Sequence, residues 1–330
     1  MKENCLLSDQ VREEGPHIVT VGGGTGLSVL LRGLKRYTNN LTAVVTVTDD
    51  GGSSGRLRGE LGVVPPGDIR NCLVALAETE TLMDRVFDHR FRGGKGLEGH
   101  NLGNLLLVAM AEITGDVISA IKEVSKVLAV RGRVLPATLE QVLLAAELSD
   151  GSFIIGETSI REVTKGVRRV YLVPENCKPL EETMEALARA DAVVLGPGSL
   201  YTSIIPNIMV KGVVEALLRT NAVRIYVANI MTEKGETDGY SVADHIQAVY
   251  DHAGKAFLDY AVVNVGPIAD SLLERYYSEG AMPVVFDPSR VARMGIKIIK
   301  EDLVSRGEVA WHDSDKLARV VLGIIKDRKG

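Results

Sequence analysis

The stretch from His17 to Leu34, HIVTVGGGTGLSVLLRGL, constrains the fold most. Ile18 to Val21 is a short β-branched run and reads as a buried strand. Five residues, Gly22, Gly23, Gly24, Thr25 and Gly26, break it, and Leu27, Leu30, Leu31 and Leu34 then recur at helical spacing. A strand, a glycine turn and a helix let backbone N–H groups at the helix start face an anion. Glycine suits such a turn because it tolerates positive φ and has no Cβ to hold a phosphate away. The stretch is not a dinucleotide fingerprint: the third glycine would fall on Leu27 or Val29, depending on where the count begins. No Gly-Lys-Ser/Thr follows, which excludes a Walker A loop. A purely structural glycine turn is the alternative reading.

A second βαβ half follows. Leu41 to Thr48 is another buried strand, ending in Asp49, Asp50, Gly51, Gly52, Ser53, Ser54 and Gly55. Parallel neighbours bring their C-terminal ends together, where open α/β sheets bind ligands. Asp49 and Asp50 stand about where a ribose-binding acid is expected, or where Mg²⁺ would bridge phosphates; an Asx-rich turn explains them too. Gly51 to Gly55 formally matches a nucleophile elbow. Two acids between strand and serine, however, would oppose a developing oxyanion.

Further along, Pro65 to Asn71 (PPGDIRN) fixes a rigid turn, with Asp68 placed to cap a helix or meet a ligand. His100, Asn101 and Asn104 cluster at the start of a helix, and capping accounts for only one asparagine. The segment 68–130 reads as a helical insertion beside the sheet. Arg131 to Val173 reads as strands, with Glu157, Arg161, Lys165, Arg168 and Arg169 on a solvated face. Asp191 to Leu195 is the next buried strand. It runs into Gly196, Pro197, Gly198, Ser199, Leu200, Tyr201 and Thr202, where Gly198 and Ser199 suit a phosphate and Tyr201 or Thr202 a sugar or base. Met231 to Gly239 reads as a polar loop. Strands are expected at Tyr260–Val265 and Val284–Phe286, and an amphipathic helix at the end.

Composition narrows the function. Net charge is −5 and aromatics make up 5%, so neither a nucleic-acid footprint nor obvious stacking platforms stand out. Cys5, Cys72 and Cys177 form no CxxC, which fits a reducing compartment. His245 and His252 share a helix face without a third ligand. The polar start, residues 1–15, is read as a disordered tail rather than a signal peptide, and no apolar run would insert in a membrane. The reading is one cytoplasmic domain over 16–330.

Four segments together resemble the CofD/YvcK, or gluconeogenesis factor, family: 21–34, TDDGGSSGRLRGELGVVPPGDIRNCLVALA (48–77), GHNLGNLLL (99–107) and LGPGSLYTSIIPNIMVKGV (195–213). The resemblance implies a Rossmann-like α/β/α fold, three-layered with a mostly parallel sheet, usually dimeric. It also implies a nucleotide site built from the glycine, Asp-Asp-Gly-Gly and GPGS loops. On the YvcK branch it implies UDP-sugar binding, notably UDP-N-acetylglucosamine. That branch is linked to cell shape, wall synthesis and growth on gluconeogenic carbon, with cell-wall or central-carbon enzymes as partners. On the CofD branch it implies Mg²⁺-dependent phospholactyl transfer to a deazaflavin. Where the family often has Arg-His-Asp near its C-terminus, this chain reads Trp311-His312-Asp313. A UDP-sugar-binding regulator is the leading expectation and a CofD-type transferase the alternative. An NAD-dependent oxidoreductase trails because the fingerprint fails.

Overall fold

The computed structural model describes residues 15–78 and 82–329; the expected tail therefore lies almost wholly outside the described residues. Seven strands form one sheet in the order β10-β9-β8-β7-β1-β2-β3, with parallel pairing throughout. They are β1 (Ile18–Gly22), β2 (Leu41–Val45), β3 (Arg133–Pro136), β7 (Ala192–Leu195), β8 (Val223–Val227), β9 (Tyr260–Asn264) and β10 (Lys297–Glu301). β1 pairs with β2 on one side and β7 on the other, Ile18 lying opposite both Leu41 and Ala192.

Strand side chains alternate between two cores, as the two-residue period requires. Val19, Val21, Val44, Val193, Leu195 and Tyr226 face one; Ile18, Ala43, Val45, Val194, Ile225 and Val227 face the other. Each core is covered by helices, which gives the three-layer α/β/α arrangement. It also explains why these strands read as continuous apolar runs. On the second face lie α1 (Gly24–Leu34), α3 (Gly67–Leu76), α5 (Leu102–Thr114), α6 (Val117–Val127) and α14 (Ser314–Lys329), with α2 (Gly52–Leu61) and α4 (Leu82–Asp88) following the first two loops. α1 and α14 pack closely because Gly33 has no side chain: a Cβ there would strike the Ser314 carbonyl. The helices expected across 68–130 are present, apart from residues 79–81, which lie outside the described residues.

Expectation and structure part in three places. The run 131–173 divides: β3 joins the main sheet, while β4 (Leu143–Leu148), β5 (Phe153–Ile155) and β6 (Val167–Val173) form a separate antiparallel sheet, β5-β4-β6. Between β5 and β6, Gly156 turns with φ 108° into the short helix α7 (Glu157–Arg161), so those residues are not strand. The predicted strand at Val284–Phe286 makes only isolated bridges. β10 is the edge strand instead, hidden in the sequence by the lysines and glutamate expected of a protected edge. The remaining helices are α8 (Glu181–Arg189), α9 (Leu200–Ile208, its first turn a π-helix), α10 (Val213–Arg219), α11 (Val242–Ala253), α12 (Asp270–Ser278) and α13 (Pro288–Arg293). No single described helix is long and apolar enough to cross a membrane.

Candidate functional site

Strand order reverses at β1, so the carboxyl ends of β1 and β7 border a crevice of the kind where open α/β sheets bind ligands. Gly23 is extended there, and Gly24, with φ 64°, turns the chain into α1. Gly26 lets the two small-residue loops touch: a Cβ on it would come within 2.6 Å of the Pro197 carbonyl oxygen. The GPGS loop is held from the end of β8. Gly198 N–H donates to Asn229 Oδ1 at 3.1 Å, and Asn229 Nδ2 donates back to the Gly198 carbonyl at 2.9 Å. Ser199 Oγ donates to Glu233 at 2.6 Å.

These loops enclose a cavity of about 350 Å³. One wall is Gly23, Gly24, Thr25, Gly26, Gly198 and Ser199, all foreseen as ligand-binding; the rest includes Arg161, Asn229, Glu233, Tyr276, Trp311 and His312. Among the described residues, Arg161 is the one lysine or arginine on it. Its guanidinium bonds Glu157 at 2.8 Å and approaches Thr202 at 3.4 Å.

Arg161 stands among acids. Burial pushes the Glu157 carboxyl up to about 8, against the pull of Arg161. Burial also raises Glu233, and raises Glu236 to about 8 with help from Glu233. Burial works against the Arg161 charge, but Glu157, Glu236 and Glu233 outweigh it and raise its pKa. Arg161 is thus a charged group on the cavity wall, ion-paired to Glu157. The reading of Glu157 and Arg161 as a solvated face is thus corrected. Glu157 is 5% exposed and Arg161 reaches into the cavity, because α7 brings the small sheet against the loops. On the polar loop expected at Met231 to Gly239, Glu236 is 2% exposed and accepts from the Thr202 hydroxyl, and Glu233 accepts from Ser199.

Asp68 joins the cavity to a second cluster. Its Oδ1 accepts the Gly24 N–H at 2.9 Å. Burial, then Asp49, push its carboxyl up to about 6. The second cluster is packed with few openings. Gly52, Ser53 and Ser54 form the first turn of α2 rather than an open loop. Ser53 Oγ lies 3.1 Å from His100 Nδ1 and accepts the Asn101 N–H at 3.1 Å. Asn101 caps α5 through the Asn104 N–H at 3.0 Å, and Asn104 donates to Ser54 at 3.3 Å. Ser53 and His100 have nucleophile–base spacing, but at 3% and 6% exposure they are a lock between two motifs. Asp49 accepts the Gly51 N–H, and Asp50 accepts both the N–H and hydroxyl of Thr158.

Hence Asp49, Asp50, Gly51, Gly52, Ser53, Ser54, Asp68, Asn101 and Asn104 adjoin the cavity's glycine loop through Asp68 and do not line the cavity. Tyr201 and Thr202 do not reach it either: both are buried, bonded to Tyr240 and Glu236, because the turn after Ser199 drives α9 into the core. Gly196 precedes the loop with φ 81°. Asp49 and Asp50, expected as possible Mg²⁺ ligands, each use Oδ1 to accept from a different partner, and no group of three or more metal-binding side chains occurs among the described residues. His245 and His252 bond the Ser241 and Ala248 carbonyls of their own helix.

The family model described as 2-phospho-L-lactate transferase CofD matches residues 18–304. A gluconeogenesis factor from Halalkalibacterium halodurans is 49% identical over 307 residues, 93% of this chain and 95% of the relative. One from Bacillus subtilis strain 168 is 48% identical over 313 residues, 94% of this chain and 99% of the relative. The crystal structure of a UPF0052-family protein from Bacillus halodurans superposes with a TM-score of 0.90 at 48% identity, covering 93% of this chain and 99% of that one.

Proposed function

The chain belongs to the CofD family, and on that premise we propose that its cavity binds a nucleoside-diphosphate sugar, with UDP-N-acetylglucosamine as reference ligand. In this reading the protein is a gluconeogenesis factor that senses such a ligand in the cytoplasm, as a homodimer, and passes its state to cell-wall or central-carbon enzymes. The name of the relatives, at 48–49% identity over nearly the whole chain, supports the role.

One observation carries the ligand reading. The two small-residue loops meet at the sheet's switch point around a cavity with a single arginine on its wall. Glycine backbone and one guanidinium suit a diphosphate, and about 350 Å³ falls within the range of small-molecule sites.

The family description favours a second reading, a CofD-type transferase. Its chemistry would need an acceptor and a divalent ion, for which Asp49 and Asp50 are the candidate ligands. Calorimetry separates the two readings. Binding of UDP-N-acetylglucosamine without turnover supports the sensor. No heat with any UDP-sugar at millimolar concentration overturns it, and Mg²⁺-dependent product from a deazaflavin acceptor establishes the transferase.

A further inference from the structure

The cavity has a second kind of wall. Tyr276, Ala310, Trp311 and His312 line it beside the glycine and GPGS loops. In a chain with 5% aromatics and one tryptophan, that residue lies on the cavity and is 47% exposed. A half-exposed indole costs hydration free energy unless something covers it. Resting on the nucleotide-sugar reading above, we propose that Trp311 is a stacking platform for the ligand's planar base and makes the cavity prefer base-carrying ligands over base-free sugar phosphates.

The platform is held in place from several directions. Trp311 N–H donates to the Val309 carbonyl at 2.8 Å, and the Trp311 carbonyl accepts the Ser305 N–H at 2.8 Å. On either side, the Ala310 N–H donates to the Tyr276 hydroxyl at 3.3 Å and the Asp313 N–H to the Leu303 carbonyl at 2.6 Å. The Asp313 carboxylate then caps α14 through the N–H groups of Asp315 and Lys316 at 3.0 and 2.9 Å. α14 packs on α1, the helix that begins at Gly24. The Trp311 backbone and the glycine loop are therefore registered through one helix pair, so the segment that carries the indole is already in place beside that loop.

His312 supplies an independent pointer. It is 7% exposed, lines the same wall, and its Nε2 has no hydrogen-bond partner. Burial, only partly opposed by a bond to the Ala228 backbone, lowers its pKa to about 4. The ring is thus neutral at pH 7. An unpaired buried acceptor next to an aromatic face suits the edge N–H of a base.

Because Trp311 is the sole tryptophan, its fluorescence reports on this wall alone. Full-length protein titrated with UDP, UDP-N-acetylglucosamine and N-acetylglucosamine 1-phosphate is expected to show quenching by the two nucleotides and not by the base-free phosphate. By calorimetry Trp311→Ala should weaken UDP binding about 5- to 100-fold, and Trp311→Phe should retain most of the affinity. Equal thermal melts of the three proteins would assign the loss to the wall rather than to folding. Nucleotide binding with unchanged emission, or equal affinity in Trp311→Ala, overturns the platform while leaving the nucleotide reading intact. Absence of calorimetric heat with both nucleotides overturns that reading, and the platform with it.

Discussion

Asp68 Oδ1 accepts the Gly24 N–H at 2.9 Å, so the first amide of the helix after the glycine loop already carries a carboxylate from 44 residues away. The loop therefore has an internal anion at its start, and Thr25 and Gly26 are the next positions on the cavity wall. The carboxylate is partly buried and lies near Asp49, which together push it up to about 6.

That shift makes stability depend on pH. The folded value lies above the ordinary 3.8, so the fold prefers the protonated acid. Its stabilising contribution is complete below about pH 4 and is lost as pH rises through about 6. Two units correspond to roughly 3 kcal/mol at most. Asp68→Asn keeps an acceptor for the Gly24 N–H and removes the ionisation. Urea unfolding should show it gaining on wild type between about pH 4 and 6, then holding a constant lead. A gap independent of pH would show that Asp68 ionises without penalty.

The glycines of the loop are not equivalent. Gly24 has φ 64° but open space around a Cβ, whereas a Cβ on Gly26 meets the Pro197 carbonyl oxygen at 2.6 Å and carbon at 2.9 Å. Gly24→Ala should cost about 1 kcal/mol of backbone strain. Gly26→Ala should cost about 1–3 kcal/mol by forcing the loops apart, and should also weaken ligand binding. Thermal melts and calorimetry on the pair test this; equal losses in both would contradict the close approach.

Arg161 is the cation on which anion binding should depend. Arg161→Ala removes one charge-assisted contact, worth about 1.5–3 kcal/mol, and should weaken UDP-N-acetylglucosamine roughly 10- to 100-fold. It also leaves Glu157 without its 2.8 Å partner. Because the Glu157 carboxyl can stay protonated near neutrality, the variant should remain folded at pH 6.5 and lose stability by pH 9. Unaltered affinity would remove Arg161 from the site.

Asn101→Ala should cost about 1 kcal/mol by uncapping α5, and more if the Ser53–His100 lock loosens with it. Asn101→Ser should restore most of the loss, since serine also caps. Circular dichroism melts of the two variants decide the point. No difference between alanine and serine would mean that the cap bond to the Asn104 N–H contributes little.

Much of this was legible in the chain. β1, β2 and β7 are continuous apolar runs because both faces of the sheet are covered. The glycine and GPGS loops are small-residue breaks directly after such runs, which places them at carboxyl ends before any coordinates are known. Lys297 to Glu301 hid β10 for the opposite reason: an edge strand with Lys297, Lys300 and Glu301 exposed looks polar. The Ser53, His100, Asn101 and Asn104 motifs were visible as chemistry. Their role as a buried lock depends on α2 meeting the start of α5, 47 residues later.

The sequence by itself pointed to parallel βαβ strands and to one small-residue wall at their carboxyl edge, because strand period, glycine breaks and apolar runs are local properties; the three-layer fold came from the family resemblance. Only the tertiary structure decided what faces that wall. Arg161 arrives on a short helix of a separate sheet, Glu233 from the loop after β8, and Trp311 and His312 from a segment pinned ahead of the last helix. Arg161 and Glu233 read as surface or loop residues along the chain, and Trp311 and His312 stood out only within a departure from the family's Arg-His-Asp. Burial, unpaired donors and acceptors and shifted acids are properties of the packed neighbours, and no local pattern encodes which distant segments will be those neighbours.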